Sequence, residues 1–257
     1  VAAFDGLVDV VRRLRAPDGC PWDRAQTPAT LRPYVLEEAY ELCEAIDRGD
    51  PSELRKELGD VLFQVVLLAR MAEEGGDFGI EEVASGVTRK MIDRHPHVFD
   101  PGHVAARDEG TVSAWEARKA KERAGGSALD GVPDALPALL RAHRVSEKAG
   151  AVGFDWPDVA SVRAKVDEEL GELDAAIASG DADAIGEELG DLLFALVNLG
   201  RHLPVTTEDA LRAATRKFEA RFRKVESRVR AEGHAVHELS AEALDAHWRA
   251  VKGEGAP

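Results

Sequence analysis

Five acidic residues open the argument: Glu37, Glu38 and Glu41, followed by Glu57 and Asp60. Glu168, Glu169, Glu172, Glu188 and Asp191 repeat them in the same order and spacing. At about 100° per residue, Glu37, Glu38 and Glu41 share one arc of a helix, and Glu57 and Asp60 share one face of the next. If the two helices pack antiparallel, four or five carboxylates converge. Gathered like charges raise one another's pKa unless a cation neutralises them, so the pattern points to a divalent metal site. Carboxylate pairs in helical bundles also hold di-iron centres, but that design uses Glu-x-x-His in two helices, and these helices carry none. An all-oxygen donor set favours Mg²⁺ or Mn²⁺, hard cations suited to phosphate-bearing substrates.

Cations recur in register with the acids. Lys90 and Arg94 stand four residues apart after Thr88-Arg89, as Lys217 and Arg221 do after Thr215-Arg216. Each pair shares a helix face and can clamp a polyphosphate, although such pairs also occur as plain solvated faces. Trp115 with Lys119 recurs as Trp248 with Lys252. An indole there can stack on a nucleobase while the lysine reaches phosphate, or it can seal the edge of a bundle. Asn198 lies seven residues beyond Asp191 on the same face, where the first half has Leu67. Asn can hydrogen-bond a sugar or base, or simply cap or face solvent; Leu can bond neither.

The elements that must place these residues are helices, and they are duplicated. Adding 131 to residues 37–63 aligns the two copies without a gap, with 14 of 27 positions identical. That period is too long for a solenoid and indicates two half-domains. Apolar spacing predicts helices over Phe4–Leu14, around the stripe Val35, Ala39, Leu42 and Ile46, and around Leu54, Leu58, Val61, Leu62, Val65 and Leu68. Gly49 with Pro51 and the Gly75-Gly76 pair end the middle helices. A further helix spans Ile80 to about Arg94, and the second half repeats the order over Val159–Ser179, Asp183–His202 and Thr207–Glu232. No segment sustains period-two alternation. The expected fold is all-α: two tandem helical bundles at residues 1–124 and 137–257, joined by a linker at 125–136 that carries three Gly and Pro133.

Composition narrows the partners. A net charge of −15 on 257 residues argues against general affinity for nucleic acid or anionic membrane. The longest apolar stretch, around Val61–Ala69, is interrupted by Gln64 and too short to span a bilayer. Cys20 and Cys43 share no metal-ligand spacing and read as reduced core thiols in a cytoplasmic protein.

Several stretches, taken in order, resemble the two-domain MazG nucleoside triphosphate pyrophosphohydrolases. They are Gly19-Cys20-Pro21-Trp22-Asp23-x-x-Gln26-Thr27, both acidic clusters, Val132-Pro133-x-x-Leu136-Pro137-Ala138-Leu139, Glu147-Lys148-Ala149 and Val152-Gly153-Phe154-Asp155-Trp156. The acidic pattern alone marks only the wider all-α NTP pyrophosphatase superfamily. One departure is Pro28, where the family often has His. The resemblance implies a homodimer and Mg²⁺-dependent hydrolysis of an NTP or dNTP to monophosphate and pyrophosphate. It implies metal ligands Glu38, Glu41, Glu57 and Asp60 in the first half, and Glu169, Glu172, Glu188 and Asp191 in the second. Glu37 and Glu168 would orient or deprotonate the attacking water. Lys217, Arg221 and Lys252 would stabilise the departing pyrophosphate, as would Lys90, Arg94 and Lys119 in the first half. Narrower readings are a dUTP or damaged-nucleotide pyrophosphatase, a phosphoribosyl-ATP-type pyrophosphohydrolase, and a nucleotide-binding regulator without turnover.

Overall fold

The computed structural model describes residues 2–100, 102 and 126–253; Trp115 and Lys119 lie outside them. The chain divides into two compact units, residues 1–105 and 106–257. Every regular element among the described residues is helical.

In the first unit α1 (Ala2–Arg15) leads through a tight turn to the short α2 (Pro21–Ala25). Then come α3 (Pro28–Arg48), α4 (Pro51–Gly75), α5 (Ile80–Arg94) and the single turn α6 (Pro96–Phe99). Thr27 caps α3 and exchanges hydrogen bonds with Thr30, and Pro28 occupies the first turn, where a missing N–H costs nothing. The α3–α4 hairpin turns at Gly49, whose φ of 69° suits a residue without Cβ. Asp50 then caps α4 by accepting from the Ser52 N–H at 2.8 Å.

The core of this unit is not the stripe that periodicity favours. Val11, Leu31, Val66, Leu67 and Met71 form it, with Phe4, Leu7, Val8 and Phe63 around them. Each fully buried aliphatic side chain contributes about 1.5–3 kcal/mol. Ile46, Leu58 and Leu62 lie largely exposed, at 59%, 52% and 40%. The α3–α4 hairpin has two apolar faces: α1 covers the one that carries Leu67, and the other is open in a single chain. Cys43, expected in the core, is exposed, and Cys20 is half-buried.

Arg15 ties the loop after α1 in place. It donates to both Glu74 carboxylate oxygens, at 2.7–3.1 Å, and to the carbonyl of Asp23 at 2.6 Å. That hydrogen bond, backed by the positive charges of Arg15 and Arg70, holds the Glu74 carboxyl below its ordinary range.

The second unit contains α7 (Ala138–Ala151), α8 (Val159–Ser179), α9 (Ala182–Arg201), α10 (Thr207–Ala231), a 3₁₀ turn at Val236–Glu238 and α11 (Ala241–Gly253). The α8–α9 hairpin repeats the α3–α4 design: Gly180 turns it at φ 74°, and Asp181 caps the next helix. Helices α10 and α11 meet over Val225, Val229 and Val251, with Trp248 and Leu244 alongside. Asp155, in the loop after α7, forms a two-pronged ion pair with Arg201 on α9. Gly150 makes room for it, since a Cβ there would come within 2.7 Å of the Asp155 carboxylate. Lys148, only 5% exposed, donates to the Asp130 carbonyl at 3.0 Å and so binds the segment before α7 to the unit.

Candidate active site

Both hairpins bring their acids together. In the first unit Glu38 on α3 and Glu57 and Asp60 on α4 each offer a carboxylate oxygen, all within 4.8 Å of one another. In the second unit Glu169 on α8 meets Glu188 and Asp191 on α9 with the same closeness, and it forms a second such group with Glu168 and Glu172. This follows from Glu-x-x-Glu and Glu-x-x-Asp facing each other across an antiparallel pair. Glu37 and Glu41 lie outside the first triad, yet both add negative charge beside it.

Electrostatics in both units favour binding of a cation. Partial burial, then the charges of Asp60, Glu41, Glu57 and Glu37, push the Glu38 carboxyl above its ordinary pKa. Glu41 is raised for like reasons, with Glu57 the largest charge on it. Glu188 is raised by desolvation and then by Glu172, Glu169 and Asp191. At the centre of each group stands one buried glutamate, Glu57 or Glu169, each 5% exposed. In both, Oε2 is buried without a hydrogen-bond partner. A buried carboxylate oxygen left this way is costly, and a hard cation with oxygen ligands would satisfy it.

A lysine reaches each group, from the second helix of the hairpin (α4) in the first unit and from the first helix (α8) in the second. Lys56 Nζ lies 2.9 Å from Glu57 Oε1. In the second unit Lys165 Nζ lies 2.6 Å from Glu168 and 2.5 Å from Glu169. Neither lysine is present in the other copy, where the aligned residues are Glu187 and Tyr34. Sequence reading passed over both, although the spacing of Lys165 from its acids, three and four residues on one helix, was the available signal. Glu168, expected to act on water, is engaged by Lys165 here.

The remaining expected residues are distributed as follows. Lys90, Lys217 and Lys252 are exposed, while Arg94 and Arg221 are half-buried. Trp248 is half-buried and its ring centre lies 5.2 Å from that of Phe218, which stacks in turn with Phe222 at 6.0 Å. These rings, with Val225, Leu244 and Asp245, line a cavity of about 220 Å³. Phe218 and Phe222 directly follow Lys217 and Arg221 in sequence, so aromatic and basic residues run together along α10. Asn198 is fully buried. Its side chain donates to the Phe194 carbonyl at 3.0 Å and accepts from Arg201 at 3.4 Å. Its aligned residue, Leu67, is likewise fully buried, in the first core.

Fold and site together define an all-α protein of duplicated helical hairpins, each gathering carboxylates around a buried, incompletely satisfied glutamate. The MazG nucleotide pyrophosphohydrolase domain matches residues 26–99 and 158–226, and the chain belongs to that family. It is 45% identical to the nucleoside triphosphate pyrophosphohydrolase/pyrophosphatase MazG of Thermotoga maritima, over 97% of this chain and 96% of the relative. The nucleoside triphosphate pyrophosphohydrolase of Escherichia coli K12 is also 45% identical, over 97% of each chain. That of Mycolicibacterium smegmatis is 37% identical over 71% of this chain and 64% of its own.

Proposed function

We propose that this chain is a nucleoside triphosphate pyrophosphohydrolase that uses Mg²⁺, or Mn²⁺ in its place, to convert NTPs and dNTPs to monophosphate and pyrophosphate. The observation that carries this reading is the buried, unpartnered Oε2 of Glu57 and of Glu169 inside a converging carboxylate group. Glu38, Glu41, Glu57 and Asp60 would hold the cation in the first half; Glu169, Glu172, Glu188 and Asp191 would hold it in the second. A cation held there would supply charge neutralisation at the α-phosphate and would make the attacking water more acidic.

The protein's own groups do the rest. Glu168, and Glu37 in the first half, orient the water that attacks the α-phosphorus and take its proton. The bond from that phosphorus to the bridging oxygen breaks, and pyrophosphate leaves. Lys217, Arg221 and Lys252 receive the negative charge on that leaving group; Lys90, Arg94 and Lys119 are their counterparts. In the second half the Trp248 cavity takes the base. The second half carries most of the turnover, because Lys217 and Arg221 stand next in sequence on α10 to Phe218 and Phe222, which line its aromatic cavity.

The exposed apolar faces of both hairpins, with Ile46, Leu58 and Leu62 in one and Ile177, Leu189 and Leu193 in the other, support a homodimer. The two free cysteines agree with a cytoplasmic setting, and no helix among the described residues is long and apolar enough to cross a membrane. We place the domains at 1–124 and 137–257. The deciding experiment measures pyrophosphate release from each NTP and dNTP with and without Mg²⁺. A nucleoside diphosphate and orthophosphate as first products would overturn the proposal.

A further inference from the structure

The aromatic pair of α10, Phe218 and Phe222, has no aromatic counterpart on α5. Aligning Lys90 with Lys217 puts Met91 where the second unit has Phe218, and His95 where it has Phe222. The first unit instead presents an aromatic pair elsewhere. Trp22 on α2 and Tyr34 on α3 meet edge to face with ring centres 5.9 Å apart, and both remain open to solvent, at 51% and 40%.

The pair is held from behind. Arg15 donates to the Asp23 carbonyl, Gln26 donates to the Trp22 carbonyl at 3.1 Å, and Thr30 donates to Gln26 at 2.7 Å. Open aromatic rings on two braced helices form a rigid face with little entropy to lose on stacking.

Their place relative to the acids gives the face its meaning. Tyr34 stands one turn before Glu38, and residues 34, 38 and 41 share one face of α3. Helical side chains lean toward the N-terminus, so Glu38 leans toward Tyr34, and Tyr34 leans toward Trp22, which it touches. The order along the surface is thus carboxylate group, tyrosine, tryptophan. Independently, the buried and unpartnered Oε2 of Glu57 calls for a cation at the acidic end. A cation with phosphates at one end and aromatic rings at the other is the pattern of a nucleotide.

We infer that the first unit holds a nucleotide site of its own, in which Trp22 and Tyr34 take the base of a nucleoside polyphosphate whose cation lies at Glu38, Glu57 and Asp60. The inference rests on the proposed cation-binding role of these acids. The second unit carries Lys165 at the position of Tyr34, where it pairs with the acids instead of offering a ring. The two halves therefore read the base with different elements, Trp22 and Tyr34 in one and the Trp248 cavity in the other. Every base has a π face, so the Trp22 site accepts purines and pyrimidines alike.

The test uses the full chain with Trp115, Trp156 and Trp248 changed to Phe, leaving Trp22 as the reporter. It is titrated, with Mg²⁺, with the α,β-methylene analogues of ATP, GTP, CTP and UTP and with tripolyphosphate. The nucleotides are expected to quench Trp22 emission saturably, and tripolyphosphate is not. Tyr34→Ala should weaken that binding about tenfold, as expected for losing one stacking partner. Equilibrium dialysis on the unaltered chain avoids the reporter's substitutions: it should count two nucleotides per chain, falling toward one in Tyr34→Ala at subsaturating concentration. One nucleotide per unaltered chain, unaffected by Tyr34→Ala, overturns this inference while leaving the second-half reading intact. No nucleotide bound at all overturns both.

Discussion

Lys165 Nζ lies 2.5 Å from Oε1 of Glu169, the glutamate whose other oxygen is buried without a partner. Glu168 and Glu169 together hold Lys165 far above the ordinary lysine range, so its ammonium stays charged at any physiological pH. A fixed cation thus competes with a divalent one for the same oxygens. Lys165→Met is expected to tighten Mn²⁺ binding without nucleotide by about fivefold, the order of a single solvent-exposed ion pair. Calorimetric titration with Mn²⁺ alone checks this, and weaker binding in the variant would contradict it.

Removing a carboxylate should separate activity from stability. Asp191→Ala or Glu172→Ala is expected to lower kcat by about two orders of magnitude or more, since even partners of metal ligands cost about 10–100-fold. The apo protein should melt no lower than the unaltered chain, because one of several repelling charges is gone. Pyrophosphate release and thermal melts on the same samples decide it. The companion pair is Glu57→Ala against Glu188→Ala at saturating Mg²⁺ and substrate. The larger loss is expected from Glu188→Ala.

The raised carboxyl of Glu38 gives a signed pH effect. Its folded pKa lies above its unfolded one, so the folded state holds the proton more tightly. Stability is therefore lost as pH rises from the ordinary carboxylate value through the raised one, and the cost persists above it. Glu38→Gln should raise the apo melting temperature by about 1–2 °C at neutral pH, with the difference vanishing in acid. Adding Mg²⁺ should reverse the order, since the variant has lost a ligand.

Asp155 behaves in the opposite sense. The hydrogen bond from Arg201, helped by that residue's charge and the Trp156 N–H, depresses the Asp155 pKa. Its contribution is present above the unfolded carboxylate value and lost as pH falls through the lower folded one. Asp155→Ala leaves the largely buried Arg201 without this partner and should cost about 2–3 kcal/mol, measured by urea unfolding at neutral pH.

Oligomeric state can be read directly. The unaltered chain should sediment at twice 27.7 kDa. Glu in place of both Leu62 and Leu193, which lie on the open hairpin faces, should shift it toward the monomer.

The sequence carried most of the architecture because its signals were local. Gly49, Asp50 and Pro51 write the hairpin turn, and the acids sit on arcs that any antiparallel pairing brings together. Val11, Leu31 and Leu67 were not foreseen as the core, since a helix with two apolar faces does not say which one a distant segment such as α1 will cover. Ile46 and Leu58 matched the period as well as any core residue and lie exposed. The lysines escaped notice because Lys56, next to Arg55, and Lys165, two residues after Arg163, look like ordinary surface cations of charged helices until their distances to the acids are known. Trp22 was read as part of a family motif, and only its contact with Tyr34 gives it a surface to belong to.

The bond from Lys148 to the Asp130 carbonyl bears on how the gene can be cut. A fragment that starts at α7 keeps a nearly buried ammonium but deletes one of its acceptors, and the desolvation cost of that charge then rises. A fragment that starts before Ser127 retains it. A separately expressed second half should therefore carry the linker residues that precede α7 along with its own domain.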